Sequence, residues 1–89
     1  MEVILKGDEI KSISDFHVKI KELLELPEYY GENLDALWDC LTGWINTPLT
    51  LIWKDFHDSK ENLGEYAEKI LVLFEDAQKK VSGFKVIFC

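Results

Sequence analysis

Apolar positions along the chain recur at two spacings, and the alternation between them predicts the elements. Glu2-Val3-Ile4-Leu5-Lys6 is a short apolar run closed by Gly7-Asp8, the pattern of a buried strand and a turn. Ser12 and Ser14 then supply candidate N-caps, with Ser14 the better placed. Ile13, Phe16, Ile20, Leu23 and Leu24 repeat at helical spacing, so an amphipathic helix is predicted from Asp15 to Leu24, ending before Pro27. A second helix is predicted from Leu34 to Thr42, capped by Asn33 and terminated by Gly43 in the left-handed conformation. Leu49 to Trp53 is rich in β-formers and reads as a central strand. Asp55, Phe56 and His57 begin a short helical piece running toward Lys60. Glu65 to Val81 is a longer helix with Tyr66, Ala67, Ile70, Leu71, Leu73, Phe74 and Ala77 at intervals of three and four, stopped by Ser82-Gly83. Phe84 to Phe88 is the third strand.

The order β-α-α-β-α-α-β predicts an α/β fold, a small three-stranded parallel sheet packed with helices, in one domain spanning residues 1–89. Two connections stand out. Pro27 to Glu32 carries adjacent tyrosines, of which one is expected to cover the core edge and the other to stay exposed beside the second helix. Thr47-Pro48 marks a loop in which a cis peptide is allowed but uncommon.

The second helix is the unusual one. At about 3.6 residues per turn, Leu34, Leu37 and Leu41 form one stripe, while Asp35, Asp39 and Thr42 fall together roughly a quarter-turn away. Trp38 lies on the border between the two. Asp35 in the first turn gains from the helix dipole, but Asp39 is too far along to do so. Fold stability is therefore a poor reason for Asp39.

Composition sharpens that picture. The formal net charge is −7, and from Glu22 to Trp53 there is no Lys or Arg at all, only six carboxylates. Such an acidic segment opposes binding to a nucleic-acid backbone and favours a basic partner drawn in by the opposite field. No apolar run approaches the ~18 residues of a membrane span, and the start of the chain does not have the form of a signal peptide. The expectation is a cytoplasmic protein with two free thiols, Cys40 and Cys89, since neither has the CxxC spacing of redox or zinc sites.

Three functional classes compete. A metal-dependent hydrolase would use Asp35 and Asp39 as ligands or as an acid and base pair, yet no phosphate loop, nucleophile elbow or HExxH accompanies them. His17 and His57 stand alone on helical segments, and no cofactor is implied. A binding module needs aromatic anchors beside charges that have no structural use, and Tyr29, Trp38 and Trp44 around Asp35 and Asp39 meet that need. In the bland alternative the carboxylates are a solvated face and the tryptophans belong to the core.

The run from Pro27 through Asp39, PEYYGENLDALWD, followed by Leu41-Thr42-Gly43-Trp44, resembles the signature of the barstar family of intracellular ribonuclease inhibitors. The similarity extends to Ile10-Lys11-Ser12-Ile13-Ser14-Asp15, to the strand before Trp53, and to Phe56 and Ser59-Lys60, and so covers essentially the full length. The resemblance implies a non-enzymatic inhibitor that binds a secreted ribonuclease of the barnase class one to one. Its second helix and adjoining loop would block the active site, with Asp39 in the place of an RNA phosphate. Tyr29, Asn33, Asp35, Trp38, Thr42, Gly43 and Trp44 match family contact positions, as does Asp76 on the long helix, where the best-known member has a glutamate. Asn46 replaces an acid, and Ser82 stands at the family's second cysteine position. The alternative within the same fold is an acidic interaction module for a different basic protein.

Overall fold

A computed structural model describes residues 1–89. Strand β1 (Glu2–Lys6) leads through a short 3-10 turn at Gly7–Glu9 to helix α1 (Ile13–Leu23). Helix α2 (Leu34–Gly43), strand β2 (Leu49–Lys54), helices α3 (Phe56–Leu63) and α4 (Glu65–Lys80), and strand β3 (Phe84–Phe88) follow. The sheet is parallel in the order β1-β2-β3, with β2 central as expected. The Thr47-Pro48 peptide is cis.

The strands alternate strictly. Leu5 of β1, Leu49, Leu51 and Trp53 of β2, and Phe84 and Val86 of β3 point into the core, and the residues between them point away. The helices supply the other side of that core. Phe16 and Ile20 come from α1, Leu37 and Leu41 from α2, Ile70 and Phe74 from α4, and all are fully buried. Trp53 sits at the centre, stacked on Phe16 with ring centroids 5.5 Å apart and met edge-on by Phe56 at 4.9 Å. Its indole nitrogen donates to the buried Ser59 hydroxyl at 3.1 Å, which in turn donates to the Gly7 carbonyl at 2.9 Å. One hydroxyl thus ties β2, α3 and the turn after β1 together without leaving a buried polar group unpaired.

Several expectations about helix ends are corrected. Ser12, not Ser14, caps α1, its hydroxyl accepting from the Asp15 amide at 3.1 Å. The helix begins at Ile13, two residues before the predicted start, and Ile13 is solvent-exposed. Its other end forms a Schellman turn, with the Leu26 amide donating to Lys21 O at 2.9 Å and the Glu25 amide to Glu22 O at 3.3 Å. The left-handed residue of that turn is Glu25, at φ 50°. Gly43 is not a left-handed terminator. It lies within α2, and the chain stays right-handed into Trp44, at φ −115° and ψ −43°. Helix α3 runs on past Lys60 to Leu63, and Gly64, at φ 60° and ψ −133°, joins it to α4.

Candidate functional site

Helix α2 is held from both ends and from below. The Asn33 side chain accepts from the Ala36 amide at 2.8 Å and donates to Gly31 O at 3.2 Å, which fixes both the first turn and the loop before it. Leu37, Cys40 and Leu41 are buried beneath it. At its end the Trp44 and Ile45 amides both reach Cys40 O, at 2.8 and 3.1 Å. A helix fixed in this way presents its outer face without further ordering.

That outer face carries Asp35 and Asp39, both exposed and without an ion-pair partner, since the four ion pairs of the structure lie elsewhere. Thr42 is half-buried, its hydroxyl donating to Trp38 O at 2.8 Å. Trp38 is also half-buried, packed against the core edge with one side open. Gly43 is exposed, and a Cβ there would meet nothing within 4 Å, so the helix end leaves room for another surface.

The preceding loop supplies the aromatic rim. Tyr29 is 79% exposed and Tyr30 only 6%, which resolves the pair as expected. The Tyr29 ring stands edge-on to Trp44, with centroids 6.5 Å apart. Trp44 is itself half exposed, its indole donating to Glu25 O at 3.1 Å. The Schellman turn of α1 therefore aims a carbonyl at the indole and sets its orientation. A cavity of about 400 Å³ beside Trp44 is floored by Leu24, Ile45 and Leu49 and edged by Asn46.

The loop is anchored from within by a side chain that stands alone in the sequence. His17 is buried, and its Nδ1 lies 2.6 Å from the Tyr30 hydroxyl while its Nε2 lies 2.7 Å from the Tyr66 hydroxyl. One imidazole thus bridges α1, the Tyr29-Tyr30 loop and α4. Burial lowers its pKa from the ordinary imidazole value, an effect opposed by the nearby Glu32 carboxylate. Burial raises the Tyr30 and Tyr66 phenols, and burial together with Asp39 raises the Cys40 thiol.

No group of three His, Cys, Asp or Glu side chains converges where a metal could be held, and Asp35 and Asp39 have no third donor beside them. His57 is exposed on α3, where it pairs with Glu61 at 3.1 Å. No helix is long and apolar enough to cross a membrane.

The family model described as Barstar (barnase inhibitor) matches residues 1–89. The chain belongs to the barstar family. It is also 45% identical over 87 residues to a Bacillus subtilis (strain 168) protein named "Putative ribonuclease inhibitor YrdF", covering 97% of this chain and 96% of that one. The barstar-type fold brings Tyr29, Asn33, Asp35, Trp38, Asp39, Thr42, Gly43 and Trp44 to one loop and helix, as their adjacency in sequence requires. Asp76 joins them from α4, exposed on the far wall of a groove of about 330 Å³ shared with Leu34, Asp35 and Trp38. Lys69 lies in that groove too, so the acidic face is bordered by a positive charge. Sequence reasoning missed it because the Lys-free interval ends at Trp53, and only the packing of α4 against α2 returns a lysine to the site.

Proposed function

We propose that this barstar-family chain is a cytoplasmic inhibitor of a secreted, barnase-type ribonuclease, which it binds one to one. Helix α2 and the Tyr29 loop close the enzyme's active site. A ribonuclease site holds a polyanion with arginine, lysine and histidine side chains, and a fixed carboxylate satisfies the same donors through charge-assisted hydrogen bonds. Asp39 takes the central position, with Asp35 at a neighbouring basic group and Asp76 at the periphery. Tyr29, Trp38 and Trp44 supply the aromatic contacts, Thr42 a polar one, and Gly43 the space for close backbone approach. Asn33 acts through its cap.

The observation that carries the reading is Asp39: exposed, unpaired and in mid-helix, on an element whose other face is fully packed. A rigid α2 loses little freedom on binding, so the attraction is not offset by ordering. The formal net charge of −7 adds long-range steering toward a basic enzyme. Both cysteines are free thiols, which suits a reducing compartment.

Titrating a barnase-type ribonuclease with the pure protein should abolish RNA cleavage at a one-to-one ratio. Full activity in the presence of a large excess would overturn the assignment. In that case recovery of a different basic protein bound to the α2 face would favour the acidic interaction module.

A further inference from the structure

Parallel sheets are ordinarily covered on both faces, and here only one is. The outward residues fall by register into three rows across the sheet. Ile4, Ile52 and Ile87 form the middle row, and none of them belongs to the core. Ile4 is 46% exposed and Ile87 39%. Glu2, Thr50 and Lys85 form the row on one side of it, and Lys6 and Lys54 the row on the other. None of these charged residues takes part in an ion pair within the chain.

We propose that this open face stacks on the same face of a second copy, about a two-fold axis that runs across the strands through the isoleucine row. That operation reverses the strand direction and lays the isoleucine row on itself. It sets Glu2 of each copy over Lys6 of the other, twice, and Thr50 over Lys54. A two-fold axis parallel to the strands would set Glu2 over Lys85, also twice, but would oppose Lys54 to Lys54 at the centre, a direct like-charge contact. Face-to-face sheets pack about 10 Å apart with strands within about 30° of alignment, which keeps Glu2 within reach of a lysine side chain.

A second copy is the favoured occupant because the face is complementary to itself. Three of the ten basic residues and one of the seventeen acids lie on it, so the face has none of the acidic excess of the rest of the chain, and its one acid, Glu2, meets a lysine of the other copy. Strand spacing and rise give a footprint of roughly 250 Å² per copy, against about 800 Å² per partner in stable complexes. The dimer is therefore weak and concentration-dependent. It leaves α2 free, so each copy keeps its own docking face.

The test is sedimentation and amide-shift titration of the full chain up to about 1 mM at physiological ionic strength. Expected is reversible dimerisation, with concentration-dependent shifts confined to β1, β2 and β3. Ile4→Lys should abolish it. Glu2→Lys should weaken it roughly tenfold, and the double swap Glu2→Lys/Lys6→Glu should restore it. Circular dichroism on each variant confirms folding. A monomer throughout, shifts confined to α2, or a double swap no stronger than Glu2→Lys would each overturn the proposed stacking.

Discussion

Replacing His17 probes the support of the Tyr29-Tyr30 loop, which is proposed to meet the partner. The imidazole makes two buried or half-buried hydrogen bonds, at 2.6 and 2.7 Å, and packs against Phe16, Tyr30 and Tyr66 with ring centroids 5.1, 5.8 and 5.9 Å away. Each hydrogen bond contributes about 1 kcal/mol net. Lost burial and the residual cavity add about 1–2 kcal/mol, so His17→Ala should cost about 3–4 kcal/mol. Its pH signature is separate from that loss. Because burial lowers the folded-state pKa, the unfolded chain takes up the proton first as pH falls. The stability linked to this group is complete above about pH 6.5 and declines as pH drops toward the folded-state value. The slope approaches about 1.4 kcal/mol per pH unit while only the unfolded chain holds the proton.

The informative comparison is His17→Gln, which keeps hydrogen-bonding capacity at the position but does not titrate. Urea denaturation of both proteins between about pH 5 and pH 8 should give a wild-type stability that falls faster on the acid side than that of the variant. Subtracting one curve from the other removes the carboxylates common to both. Superimposable pH dependences would refute the reasoning, because they would mean that His17 takes up its proton equally readily in the folded and unfolded chains.

Asp39→Ala should weaken ribonuclease binding by about 3–5 kcal/mol, the range for stripping one partner from a buried charge pair, while Asp76→Ala at the rim should change it by at most about 1 kcal/mol. Calorimetric titration measures both, and an equally large loss on Glu68→Ala, whose side chain pairs with Lys60 at 2.7 Å, would place the docking face elsewhere. A Cβ at Gly7 would be driven into the Lys54 and Asp55 carbonyl oxygens and the Ser59 hydroxyl. Gly7→Ala should therefore cost about 1–3 kcal/mol by overpacking, read as a lowered Tm; an unchanged Tm would contradict that packing. Cys89 is exposed, whereas Cys40 is buried with its thiol pKa raised. A thiol reagent near neutral pH should therefore modify Cys89 quickly and Cys40 slowly, and equal rates would show that α2 opens readily.

What the sequence disclosed and what it hid divide along chain separation. Asn33, Asp35, Trp38, Asp39 and Thr42 share one helix, so the 3.6-residue period alone places two carboxylates on one face and the leucines on the other. The strands were equally local, since each is an apolar run between turn residues. Helix ends were less legible because three of the five positive-φ positions hold Glu25, Glu32 and Asp55, at φ 50°, 52° and 52°. No glycine or asparagine marks them, and each such residue costs about 1–2 kcal/mol that its surroundings must offset. Gly43 misled for the converse reason: a right-handed continuation into Trp44 lets the indole reach Glu25 O. The Ser12 cap sits a turn ahead of the first buried residue, Phe16, so the apolar pattern points to Ser14 instead. His17 was opaque because its partners lie 13 and 49 positions away, and Lys69 because only tertiary packing brings it beside Asp35. Apart from Asp76, the side chains proposed to meet a partner thus lie in contiguous sequence, and the side chains that hold them rigid do not. Substitutions outside residues 29–44 that leave every docking side chain intact can therefore still alter binding, through His17 and the turn at Glu25, by changing how firmly the loop and helix are held.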